Sequence, residues 1–324
     1  MLPLNEVVRT STLSTKWRHT WTSCPNLIFD GATMCVNTTT SSKERCTQVF
    51  VGNVNAVLKQ CGATAVEEFQ IKFPFDNLLL DHLNNWVKFA VLSRAKNLAI
   101  ELEPEDFRPC KHWHVLPFEL FDKQSMSRLE AIRLSMVSLK AQPNFSGFPN
   151  LTALALRMNL NLSACMALKV FYLPEGVTKF SHLKYLQLRL YLSDQDNLLS
   201  LASFLKVAPL LEDLDIHFLH HSFPLNDYEK LSIRSLPLCR HDHLKRVLIT
   251  GFHGARGEIE LAAHVADNST RLEALVIDPV TRDVDRNMLT LTPEGRAMFW
   301  DLARENAKKY LARRVAQGAR FDVL

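Results

Sequence analysis

One pattern recurs along this chain: Leu-x-x-Leu-x-Leu, or the same with Ile or Val replacing a leucine. Clear copies stand at Leu129/Ile132/Leu134, Leu151/Leu154/Leu156, Leu183/Leu186/Leu188, Leu211/Leu214/Ile216, Leu244/Val247/Ile249 and Leu272/Leu275/Ile277. Their first positions are separated by 22, 32, 28, 33 and 28 residues. Weaker copies precede them at Val66/Phe69/Ile71 and Ala95/Leu98/Ile100. In each copy the fourth and sixth positions alternate with polar or small residues, as in Lys184-Tyr185-Leu186-Gln187-Leu188, so a short strand acquires one apolar face. A single strand of this kind cannot bury that face alone. Stacking successive copies as a parallel sheet makes a continuous core, and the intervening residues must cross back on the outer side.

The expected fold class is therefore α/β: a leucine-rich-repeat solenoid, a curved parallel sheet with outer helices and loops. Apolar residues at helical period predict spacer helices over 78–92, 197–207 and 258–266. Residues 138–149, with two prolines and a glycine, read as loop. The terminal units of a solenoid need caps. Thr292-Pro293-Glu294 is a helix start, with Thr292 suited to the N-cap and Pro293 to the first turn. From there Met298, Leu302, Ala303, Ala307, Tyr310 and Leu311 form an apolar stripe, and residues 319–324 read as a last short strand. At the other end Val7–Leu13 and Thr15–Trp21 read as two short helical segments, the second carrying Trp17 and Trp21 on one face.

Length and composition fit an ordinary globular protein: 324 residues, 47% hydrophobic and 22% charged. A formal charge of +4 is too small to argue for nucleic acid, and the basic face of the last helix reads as a solvated surface. The seven cysteines are odd in number, scattered and nowhere in Cys-x-x-Cys spacing, so neither a disulfide framework nor a structural zinc ribbon is expected. No secretory signal or apolar run of membrane-spanning length is encoded, and the expected compartment is cytoplasm or nucleus.

Candidates for chemistry are few. His217, His220 and His221, with Cys239, His241 and His243 further on, fit no common structural zinc pattern and are expected to bind no metal. The segment Gly251–Gly257 precedes a helix but lacks both the P-loop ending and dinucleotide-site spacing, so it reads as turn chemistry. No catalytic signature appears and no cofactor is implied; the chain is not expected to be an enzyme. A solenoid binds along its concave sheet. The candidate contact residues there are the variable positions Glu130, Arg133, Lys184, Gln187, Glu212, Asp215, Lys245 and Leu248, with Arg133, Gln187, Asp215 and Leu248 as the core set.

The first thirty residues carry Leu2-Pro3-Leu4, Arg9-Thr10-Ser11, Leu13-Ser14, Trp17-Arg18, Trp21, Pro25, Leu27 and Phe29-Asp30 in the order in which they end a plant F-box. His241-Asp242-His243-Leu244-Lys245, Gly251-Phe252 and Leu272–Pro279 resemble the FBD-type segment of plant F-box/leucine-rich-repeat proteins. Together these resemblances cover nearly the whole chain. They imply residues 1–30 as a partial F-box whose first helix would lie before Met1, and 31–62 as a helical linker and N-terminal cap. Residues 63–290 would be the solenoid, with the FBD-like segment at 239–280, and 291–324 a capping helix and strand. They further imply a substrate-recognition subunit of an SCF-type ubiquitin ligase. It would dock on the SCF adaptor through Leu4, Leu13, Trp17, Arg18 and Trp21 and bind a protein substrate along the repeats, with no nucleic acid and no membrane involved. The alternative is a protein-binding scaffold unable to join the ligase because its F-box is truncated.

Overall fold

The computed structural model describes residues 24–35, 43–62, 65–74, 76–103, 114–116, 119, 121, 123–139, 147–159, 180–192, 198, 200–220, 233–234, 239–281 and 292–324. The chain divides into two compact units, Met1–Leu151 and Thr152–Leu324.

In the first unit the parallel strands β1 (Asn26–Asp30), β2 (Glu68–Pro74), β3 (Asn97–Glu103) and β5 (Ala131–Ser135) lie side by side in that order. The register keeps equivalent repeat positions level: Leu27 faces Phe69, Phe69 faces Leu98 and Leu98 faces Ile132. All four are buried, as the period-2 reading requires. Both weak copies are thus true repeats. A further strand, β1, comes from Leu27 and Phe29, residues the F-box resemblance had absorbed. A separate parallel pair joins β4 (His114–Leu116) to β6 (Val137–Leu139), so the strand β6 occupies the start of the stretch expected to be loop. Val137-Ser138-Leu139 is a single alternation, too short to register as a repeat.

Helices close this unit. A one-turn helix α1 (Gly31–Met34) follows β1, with the Asp30 side chain accepting from Ala32 N at 2.9 Å. Helix α2 (Lys43–Gln60) turns Thr47, Phe50 and Val54 inward, and α3 (Asn77–Leu92) buries Leu79, Leu83, Trp86, Val87, Ala90 and Val91. Asp76 caps α3 through Leu78 N and also accepts from Thr47 Oγ1 at 2.8 Å, while Trp86 Nε1 donates to Asn55 Oδ1 at 2.7 Å. These two bonds fix α2 against α3 while satisfying buried polar groups. A short helix α4 (Lys123–Arg128) precedes β5.

In the second unit β7 (Ala153–Asn159), β8 (Tyr185–Leu192), β9 (Asp213–His220), β10 (Arg246–Thr250), β11 (Ala274–Asp278) and β12 (Arg320–Val323) are parallel neighbours in chain order. The row Leu154, Leu186, Leu214, Val247, Leu275, Phe321 runs level across them, followed two positions on by Leu156, Leu188, Ile216, Ile249, Ile277, Val323. The spacers include α5 (Ser200–Leu205), α6 (Arg256–Asn268) and α7 (Pro293–Leu311).

One detail departs from expectation, and a second, a glycine turn, accords with it. On α7, Met298 is 75% exposed, whereas Ala303, Ala307 and Leu311 are fully buried. The inward stripe is preceded by Phe299, one turn before Ala303, so Met298 points roughly the opposite way. At the exit of β10, Gly251 has φ +66, and a Cβ there would lie 2.2 Å from the Phe218 carbonyl oxygen. Only glycine fits that turn and that close approach.

Candidate protein-binding face

Each repeat strand presents one buried row to the core and the alternate row to the opposite, open face. A regular backbone device sets the strands level. The carbonyl of the residue before one strand accepts two N–H groups from the next repeat: Thr152 O from Lys184 and Tyr185, Lys184 O from Glu212 and Asp213, Glu212 O from Lys245 and Arg246, and Lys245 O from Glu273 and Ala274. The second position of the repeat is therefore an entry point to the strand, and its side chain lies at the rim. That places the expected contacts Lys184, Glu212 and Lys245 together. The Glu212 carboxylate meets Lys184 Nζ at 3.2 Å and Lys245 Nζ at 2.7 Å. Hydrogen bonds from Lys245 and then Lys184 hold Glu212 down to about 2. Glu130 occupies the same rim position in the first unit, 3.2 Å from Lys96.

On the open face of the second unit the side chains reach diagonally. Tyr185 on β8 donates its hydroxyl to Asp215 Oδ2 on β9 at 2.8 Å, although its level partner is Asp213. Burial, then the bond to the Asp215 carboxylate, raises the Tyr185 hydroxyl well above its ordinary value. Gln187 Nε2 donates to His217 Nε2 at 3.1 Å, again two residues beyond its level partner Asp215. With Nε2 accepting, the imidazole proton sits on Nδ1 and is directed to Thr250 Oγ1 at 2.8 Å on β10. Arg157 on β7 donates through Nε and Nη2 to the Tyr191 hydroxyl at 2.9 and 2.6 Å. Arg246 meets Asp213 in a fork at 2.5 and 2.7 Å. The result is an ordered polar surface, its groups already oriented by neighbours on adjacent strands.

Of the core contact residues read from sequence, Gln187 and Asp215 stand in this network. Leu248 lies level with Asp215 and Val276 on β10, a half-buried apolar position beside it. Arg133 belongs to the first unit, where it meets Glu68 at 3.1 Å and Glu101 at 3.6 Å, and Gln70 donates to Glu101 at 3.3 Å. The adaptor-binding candidates Leu4, Leu13, Trp17, Arg18 and Trp21 lie outside the described residues.

Of the histidines singled out in the sequence, His221 lies outside the described residues, and those described do not gather at one place. His217 serves the open face. His220 stacks on His253 with ring centroids 3.7 Å apart and has Nε2 2.7 Å from Oε1 of the fully buried Glu258. The other oxygen of Glu258 accepts from His253 N at 2.8 Å and Ala255 N at 3.2 Å, securing the first turn of α6. His241 packs edge-on against His264 at 5.8 Å, and Asn268 Oδ1 accepts from Cys239 N at 2.9 Å. Among the described residues no group of three or more His, Cys, Asp or Glu is arranged to hold a metal ion. His253 and His264 were invisible as partners because they sit in a turn and on a helix far along the sequence. No helix among the described residues is long and apolar enough to cross a membrane.

Residues 159–324, just over half of the chain, match the family model described as At1g61320/AtMIF1, LRR domain. The putative F-box/FBD/LRR-repeat protein At2g05300 of Arabidopsis thaliana is 29% identical over 157 residues, 48% of this chain and 31% of that protein. The F-box/FBD/LRR-repeat protein At1g13570 of the same plant is 28% identical over 162 residues, 49% of this chain and 35% of the relative. The putative F-box/LRR-repeat protein At3g42770, also from Arabidopsis thaliana, is 28% identical over 192 residues, 54% of this chain and 34% of its own length. The chain thus spans about a third of the length of each of these relatives, and their names carry modules and no reaction. By its repeat array the chain belongs to the leucine-rich-repeat family described as At1g61320/AtMIF1, LRR domain, and it is similar to F-box/leucine-rich-repeat proteins of Arabidopsis thaliana.

Proposed function

We propose that the chain is the substrate-recognition part of an SCF-type ubiquitin ligase and captures a protein through the open strand faces of its repeats. The observation that carries this reading is the network Tyr185–Asp215, Gln187–His217–Thr250 and Arg246–Asp213, with the half-buried Leu248 beside it. Its polar groups come from separate repeats and are held in place by one another. Preorganised polar groups around an apolar position lose little side-chain freedom on binding, the property that separates tight protein interfaces from merely large ones. Among the described residues no group of three or more His, Cys, Asp or Glu is placed to hold a metal ion, and the chemistry of the face suits recognition of a protein surface. The F-box-like residues Leu4, Leu13, Trp17, Arg18 and Trp21 supply the adaptor contact in this reading, and ubiquitin transfer itself belongs to other subunits.

The test is capture of purified SCF adaptor by the chain, beside a version extended at its N-terminus with a complete F-box. Adaptor binding by either, lost in Trp17→Ala/Trp21→Ala with the repeat fold intact, supports the reading. Failure of both to bind adaptor while the repeats still capture a protein partner assigns the chain to a binding scaffold working apart from the ligase.

A further inference from the structure

The sulfur of Cys35 lies 3.7 Å from the backbone carbonyl oxygen of Cys46, eleven residues on in sequence, and both residues are half-buried. The two are carried by elements fixed on the same ring. Cys35 ends α1, its N–H donating to Gly31 O at 3.0 Å, and Gly31 sits so close to Phe73 that an added Cβ would lie 2.4 Å from the ring. Cys46 stands one turn before Phe50 on α2, and Phe50 stacks on Phe73 with centroids 4.2 Å apart. Phe50 is fully buried and Phe73 nearly so, which keeps α1 and the first turn of α2 together. A carbonyl oxygen and a cysteine sulfur each sit within about 3 Å of their own Cα, so the contact bounds the Cα separation at about 10 Å, a range that includes the roughly 4.4–6.8 Å span of a disulfide.

We propose that Cys35 and Cys46 form a reversible disulfide by exchange with a small-molecule disulfide such as oxidised glutathione. The thiolate of one cysteine attacks a glutathione sulfur, forming a mixed disulfide and expelling one glutathione thiolate. The thiolate of the second cysteine then attacks the protein sulfur of that mixed disulfide and expels the second. Two protein thiols are oxidised, one glutathione disulfide is reduced to two glutathione thiols, and the two protons given up by the protein thiols are taken up by the two expelled thiolates. The bond ties α1 to α2 at the N-terminal end of the first unit's sheet, making that end redox-sensitive in a reducing compartment.

The experiment treats the full chain with oxidised glutathione over a range of redox poise, blocks remaining thiols under denaturing conditions, and maps peptides by mass spectrometry. The expected result is a peptide joining Cys35 to Cys46 that dominates over links to the other cysteines, reverts with reduced glutathione, and raises the Tm by a few degrees. In Cys46→Ser the link is absent, Cys35 retains glutathione, and the Tm difference disappears. Glutathione adducts on both residues without a link, equal linkage of Cys35 to other cysteines, or no oxidation before global unfolding would each overturn the proposal.

Discussion

The hydroxyl of Tyr185 and the carboxylate of Asp215 meet at 2.8 Å across neighbouring repeats, two residues beyond level register. The same displacement recurs for Gln187 with His217 and for Arg157 with Tyr191. Diagonal neighbours on one face of a sheet are about 7–8 Å apart at Cα, a gap that long side chains bridge and short ones cannot. The open face is consequently organised by long polar residues, each oriented by the next strand.

Tyr185→Phe removes a donor from a carboxylate that water can still reach. The expected cost in stability is about 1 kcal/mol or less, measured as a shift in urea midpoint. Partner affinity is expected to fall about tenfold or more in Tyr185→Ala and in Asp215→Ala, with the fold retained by circular dichroism. Loss of fold without any change in affinity among folded molecules would assign the pair to the architecture alone.

Gly251→Ala is the sharpest probe of the strand-exit turn. The new methyl group meets the Phe218 carbonyl oxygen, a backbone atom with no rotamer to change, at a φ that disfavours a side chain. The expected destabilisation is about 3 kcal/mol or more by denaturant unfolding.

Acid sensitivity follows from three histidines in the second unit. Burial, then the neighbouring His264, pushes His241 down to about 4; burial and then His220 push His253 well below its ordinary value; burial and then Lys206 lower His264. The fold favours the neutral rings, so the unfolded chain binds more protons between about pH 6.5 and 4. Stability is complete above the unfolded-state value and is lost as pH falls through that window. A Tm measured from pH 7.5 to 4.5 is expected to drop by roughly 5–15 °C, and His241→Leu to flatten part of the decline. The paired carboxylates act in a lower range: burial raises Glu260 but its bonds to Arg234 and Arg256 outweigh it, and Glu212 is held near 2.

The strands of the repeat were legible because their apolar residues recur two apart within a copy and at near-constant intervals between copies. Leu186 and Leu188 could hardly be anything else. Strand β1 was harder, since Leu27 and Phe29 lie within a motif that resembles a different module, and only pairing with Phe69 and Ile71 reveals them as the first rung. Gln187 and Asp215 could be named as open-face residues from alternation alone. Their partners could not, because a diagonal contact depends on sheet geometry and on side-chain reach that no local pattern encodes. Glu258 was similarly hidden: it reads as a polar helix residue, yet it is fully buried as the acceptor for a turn and the contact of His220.

The most direct test of the central claim places a photo-crosslinking amino acid at Gln187 on the open face and, separately, at Lys308 on the exposed side of α7 in plant cell extracts. The account predicts a discrete protein adduct from position 187 that Asp215→Ala diminishes, and none from position 308. An adduct formed from position 308 and absent from 187 would contradict it.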